Sequence, residues 1–213
     1  VSTGESRLDD TVVRRRRAAL AGHTGDVDAA RTLLDDPDGT VCATAIGALN
    51  RLGDLRPTEL LDAISDPRPV VRRRGCTEST TWRGAVGDPP DASVAAAIAE
   101  LLDDADDSVV EVAAWACGER PPATAAVIAR LASVATEHSD ALCRESAVAA
   151  LGALGDPAGL DAILRATNDR ATVRRRAVIA LAPFDGPEVD AALDRAREDR
   201  DWQVRQAAED LSP

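Results

Sequence analysis

The chain has 213 residues, 45% of them hydrophobic but only 2% aromatic, with a net charge of −12. That charge argues against a nucleic-acid binder, which needs a basic face to displace phosphate counterions. No apolar run reaches the ~18 residues of a membrane-spanning helix, and no signal-peptide pattern is present. With so few aromatics the core has to be assembled from Ala, Val, Leu and Ile, and all 25 basic residues are Arg.

Residues 1–9 read as a flexible polar tail, and 10–213 as a single repeat domain. The first anchor of the repeat is Val13-Arg14. It recurs as Val41-Cys42, Val71-Arg72, Val109-Val110, Cys143-Arg144, Val173-Arg174 and Val204-Arg205, at spacings of 28, 30, 38, 34, 30 and 31 residues. That period is about one helical hairpin. With each anchor as position 0, positions 4, 7, 8 and 11 share its helix face at 100° per residue. Repeat two reads Val41, Ala45, Ala48, Leu49, Leu52 there, and repeat six Val173, Ala177, Ala180, Leu181, Phe184. Breakers follow, such as Gly53-Asp54 and Gly155-Asp156-Pro157, suited to a left-handed helix end and a new helix start. Second helices are expected over 27–34, 57–64, 92–102, 124–135, 160–166 and 187–196, and a closing anchored helix over 201–211. Asp-rich turns between hairpins supply caps for the next helix. Seven anchored and six connecting helices are expected, with no strand.

The motif Asp–turn–Val-Arg-x-x-Ala-x-x-Ala-Leu-x-x-Leu-Gly-Asp, clearest from Asp140 to Asp156, resembles HEAT repeats, in particular the short type of phycobilisome lyases. The likeness runs from about residue 10 to 211. It implies an all-α, right-handed solenoid of six to seven HEAT-like hairpins with the anchored helices on its concave side. It also implies an inter-repeat ladder made by Arg14, Arg72, Arg144, Arg174 and Arg205, with partners among Asp10, Asp38, Asp106, Asp140 and Asp201. Cys42 and Val110 depart from that pattern, so the ladder should break at repeats two and four.

Little in the chain points to catalysis. Walker and GxGxxG loops are absent, as is a GxSxG elbow. His23 and His138 are too few for a multi-His metal site, and His23 reads as a surface residue. Cys42, Cys76, Cys117 and Cys143 occur singly, as buried reduced thiols would in a cytoplasmic protein. No cofactor, metal or catalytic residue is expected.

Function is sought on positions 2, 6 and 9, opposite the core face. They read Arg73, Thr77, Thr80 in repeat three; Glu111, Trp115, Gly118 in four; Glu145, Ala149, Gly152 in five; and Arg175, Ile179, Ala182 in six. Trp115 is either a binding anchor or a side chain folded sideways into the core. Repeat three is deviant, with Gly75, Glu78 and Ser79 where neighbours hold Ala, Ala and Leu, and with Trp82 at position 11. It is read as a shape adjustment or as a polar notch with Glu78 paired to Arg73 or Arg74. The runs Arg14–Arg17, Arg72–Arg74 and Arg174–Arg176 are solvated charges paired to Asp, or a discontinuous strip for an acidic partner or phosphate groups. The leading expectation is a monomeric, non-catalytic scaffold that binds a peptide or partner protein in a groove formed by Arg73, Thr77, Glu111, Trp115 and Glu145. Its rivals are a bilin-lyase-like protein holding a tetrapyrrole or other small ligand, and a HEAT-like DNA-binding protein that the charge disfavours.

Overall fold

The computed structural model describes residues 2–83 and 91–211, with side chains from Asp10 to Arg83 and from Ala92 to Leu211. Among these, thirteen α-helices and no strand occur. The chain divides into two compact units, Val1–Ile98 and Ala99–Pro213, where the sequence suggests one domain over 10–213. The division falls within the longest anchor spacing, the 38 residues between Val71 and Val109.

In the N-terminal unit, α1 (Ser2–Thr24), α3 (Gly39–Leu52) and α5 (Pro69–Ser79) are the anchored helices, packed side by side. The connecting helix α2 (Val27–Thr32) rests on α1 and α3, and α4 (Pro57–Ile64) on α3 and α5. Helix α1 takes in most of the stretch expected as a tail. Helix α6 (Asp91–Glu100) carries the boundary between the units. In the C-terminal unit the anchored helices are α7 (Asp107–Gly118), α9 (Ala141–Leu154), α11 (Ala171–Ala180) and α13 (Trp202–Asp210). The connecting helices are α8 (Ala125–Glu137), α10 (Leu160–Ala166) and α12 (Pro187–Arg197).

Local chemistry sets these boundaries. Asp38, Asp106, Asp140 and Asp201 each accept the amide two residues on, capping α3, α7, α9 and α13; such a cap is worth about 1 kcal/mol. Gly53 and Gly155 close α3 and α9 at φ 71° and 62°, a conformation that β-carbons disfavour.

Core packing follows the predicted face. Val41, Val71, Val109, Cys143, Val173 and Val204 are all buried, as are Ala45, Ala113, Ala147, Ala177 and Ala208 at position 4. Val13 departs from this and is 63% exposed.

Position 9 behaves differently from the expected ridge. A Cβ on Gly118 would lie 2.8 Å from the Cα of Ala150, and one on Gly152 would lie 2.7 Å from the Cα of Ala180. Gly22 meets Ala48 in the same way. Position 9 of one anchored helix is thus the seat for position 7 of the next, and a missing side chain there sets how closely the helices approach.

Candidate protein-interaction surface

The ladder arginines form a repeated pattern of bonds. Arg174 donates through Nε and Nη2 to Asp199 at 2.8 and 2.7 Å, and through Nη1 to the carbonyl of Asp169 at 2.8 Å. Arg144 does the same with Asp169 at 2.6 and 2.9 Å and the carbonyls of His138 and Ser139. Arg14 reaches Asp36 at 2.7 Å and Asp10 at 2.6 Å. Arg72 and Arg205 donate to turn carbonyls, those of Asp66 and Pro67 and that of Asp199 respectively. Each guanidinium that meets a carboxylate in the following turn joins two hairpins through charge-assisted bonds. Bonds from Arg144 and Arg174 hold the Asp169 and Asp199 carboxyls below the usual range, as a bond from Arg68 does for Asp66.

Two expectations need correction. Asp10, inside α1, does bond Arg14, but the capping aspartates bind helix amides instead; the carboxylates of the ladder are Asp36 and Asp199, two residues before the cap, and Asp169, one residue before Arg170 at the cap position. Nor does the ladder break at repeat two. Arg68 occupies the cap position of α5 and reaches back: Nε and Nη2 donate to Asp66 at 2.8 and 2.7 Å, while Nη1 donates to the carbonyl of Asp36 at 2.9 Å. Those are the bonds an arginine at Cys42 would make. At repeat four no such substitute is described: Val110 is buried and the facing place is held by His138.

The deviant repeat three forms a polar version of the position 9 contact. Asn50 stands where others have Gly, and Glu78 where others have Ala. Asn50 donates to the Glu78 carboxylate at 2.5 Å and to Thr81 at 3.0 Å. Arg74 Nε lies 2.7 Å from the same carboxylate, and its guanidinium covers Gly47, where a Cβ would collide with Nη2. Gly75 lets α5 approach Ile64 of α4, Trp82 is buried with its indole donating to the carbonyl of Leu55, and the Ser79 hydroxyl donates to the carbonyl of Cys76. The sequence flags Glu78 and its pairing with Arg74 as one option; Asn50 it does not flag, although position 9 against position 7 is a readable signal.

The proposed groove residues divide between the units. Arg73 and Thr77 are exposed on α5. Trp115 is 39% exposed on α7. Glu111 is partly buried one turn earlier, its carbonyl accepting from Ser146 of α9. Glu145 of α9 lies 3.5 Å from Arg176 of α11, beside exposed Ile179.

Burial pushes the thiols of Cys117 and Cys143 up to about 11 and about 12, so both stay protonated at neutral pH and are poor nucleophiles. Among the described residues no group of three or more His, Cys, Asp or Glu is placed to hold a metal ion, and no helix is long and apolar enough to cross a membrane.

Comparison with known proteins gives the fold a family. No curated protein matches the chain. Among solved structures, YibA of Escherichia coli is 17% identical, with a TM-score of 0.66 over 85% of this chain and 67% of YibA. A designed armadillo repeat protein in complex with peptide (KR)4 is 16% identical, with a TM-score of 0.61 over 85% of this chain and 96% of that one. An engineered protein is 18% identical at a TM-score of 0.61, covering 87% and 94%. The family profile for HEAT repeats matches residues 94–182 and again 128–212, more than half the sequence. With the hairpin period, the alanine seams and the arginine ladder, these matches show that the chain is an α-solenoid belonging to the HEAT-repeat family.

Proposed function

We propose that the protein is a non-catalytic interaction module that binds a peptide or partner protein on the exposed ridge of its anchored helices. The observation that carries this reading is Trp115, 39% exposed in a chain with 2% aromatics and placed on the open line of α7. A large, rigid ring with a polar rim is the usual composition of a binding hot spot. Glu111 on the same helix and Glu145 on the next supply carboxylates to orient a ligand. Arg73 and Thr77 give the N-terminal unit a ridge of different chemistry. The designed armadillo neighbour, solved with a peptide, supports a peptide as one form of ligand for this architecture.

The test is Trp115→Ala against peptides selected from a random display library on the parent protein. Binding should weaken by about 2 kcal/mol or more, with the melting temperature close to that of the parent. A core Trp would instead cost about 3–5 kcal/mol of stability. A variant that melts early yet binds the selected peptides as the parent does would overturn the reading.

A further inference from the structure

The arginines of the three basic runs have different fates in the structure, and the difference points to one surface in the N-terminal unit. The ladder takes Arg14, Arg72 and Arg174. The last residue of the two later triplets pairs with a glutamate, Arg74 with Glu78 and Arg176 with Glu145. The second residues, Arg15, Arg73 and Arg175, are exposed without a carboxylate partner among the described residues; Arg15 and Arg73 both lie in the N-terminal unit. Both occupy position 2, on α1 and α5. Between them α3 has Ala43 at the same level, too short to fill the space.

The result is a hollow of about 300 Å³ lined by Ala43, Val70, Arg15, Arg73 and Arg74. No acidic side chain lines it. The three threonines that line it have turned their hydroxyl protons inward: Thr40 donates to the Asp38 carboxylate at 2.6 Å, Thr44 to the carbonyl of Thr40 at 2.7 Å, and Thr77 to that of Arg73 at 3.0 Å. Donors to an incoming ligand therefore come from the guanidinium groups, while the threonines offer methyl groups and acceptor oxygens. In a chain of net charge −12 this is a local reversal of sign.

We propose that the ridge of α1, α3 and α5 is a docking surface for an extended acidic peptide segment. Its carboxylates would sit on Arg15 and Arg73, and small aliphatic residues over Ala43 and Val70. This rests on the reading of the protein as an interaction module and gives the N-terminal unit's partner a chemistry. Spacing adds a constraint. Packed helix axes lie 8–10 Å apart, so α1 and α5 are separated by about 20 Å, which an extended chain spans in about six residues. The ligand should therefore carry two acidic groups separated by several small residues. A nucleic acid would present phosphates to the same arginines, but the surrounding negative charge repels a polyanion far more strongly than a short peptide.

The probe is a fluorescein-labelled ten-residue peptide with two glutamates at each end and valine and alanine between, followed by anisotropy against the full chain. Saturable binding is expected that weakens as salt rises. Arg15→Ala and Arg73→Ala should each weaken it by about threefold, and together by about tenfold. Arg73→Lys, which retains the charge, should fall between parent and Arg73→Ala. Arg175→Ala, at an exposed arginine of the other unit, should bind this peptide as the parent does, and a lysine counterpart of the peptide should not bind. Circular dichroism should show full helicity in the double variant, since neither side chain has a described ion pair to lose. The proposal is overturned if the acidic peptide does not saturate, if the double variant binds it equally well, or if an oligothymidylate of equal charge binds more tightly. Failure here with Trp115-dependent binding intact would leave the broader reading standing.

Discussion

At the scale of single residues, Arg174 and Arg175 are a natural experiment. They are adjacent and identical in chemistry, yet one is 7% exposed with three bonds and the other points outward. Arg174→Ala removes charge-assisted bonds between two hairpins and should cost about 1–3 kcal/mol in urea unfolding. Arg175→Ala should cost under about 0.5 kcal/mol. Equal shifts for the two would contradict the division of the helix into faces. The column of ladder arginines is legible in the sequence because it follows the anchor by one residue. Their partners are not. In turns such as Asp36-Pro37-Asp38, two carboxylates stand two residues apart and only the backbone path decides which caps a helix. Here Asp38 takes the amide of Thr40 and Asp36 faces Arg14.

At the scale of helices, the position 9 contact determines how closely neighbours approach, so the same substitution should cost more at Gly152, in position 9, than at Gly47, in position 6. Gly152→Ala would drive a methyl against the Cα and Cβ of Ala180, at 2.7 and 2.6 Å, so two helices must separate; the expected loss is about 1–3 kcal/mol. Gly47→Ala collides with the tip of Arg74, which can swing into solvent. Because the Arg74 side chain is 38% exposed, its pair with Glu78 contributes little. The better helix propensity of Ala offsets part of that loss, and the net change should be under about 1 kcal/mol. Melting curves of the two variants compare them directly; a larger loss for Gly47→Ala would refute the account. Periodicity reveals the buried positions 0, 4, 7 and 8, because burial repeats with the helical turn. It misplaces position 9 on the ridge, because a glycine presents no side chain whose direction can be inferred from spacing.

At the scale of the molecule, the ladder connects stability to pH. Asp169 and Asp199 have folded pKa values below those of free carboxyls, chiefly through their bonds to Arg144 and Arg174. The unfolded chain then binds more protons than the native one as pH falls through about 4. Their stabilisation is full at neutral pH and disappears as the folded carboxyls protonate. Asp199→Asn should therefore lower the melting temperature at pH 7 and show a smaller fall than the parent between pH 5 and 3; parallel curves would show that the carboxylate is not a source of acid lability. The all-α repeat architecture is legible in the chain itself, since hairpin period, breakers and caps agree. The division at Ile98 is marked only by the long spacing between Val71 and Val109, because seams and ladder residues continue in sequence on both sides of it.

Arg68 has a consequence for how such repeats store information. The guanidinium between the turns of Asp36 and Asp66 occupies one place in space but has two addresses in the chain, position 42 from one side and position 68 from the other. A column of letters records only the address. Two repeats that look unlike, one with arginine after its anchor and one with cysteine, can therefore carry the same mechanical joint. A repeat can also drift in sequence at one address without loosening the stack, provided the other is filled.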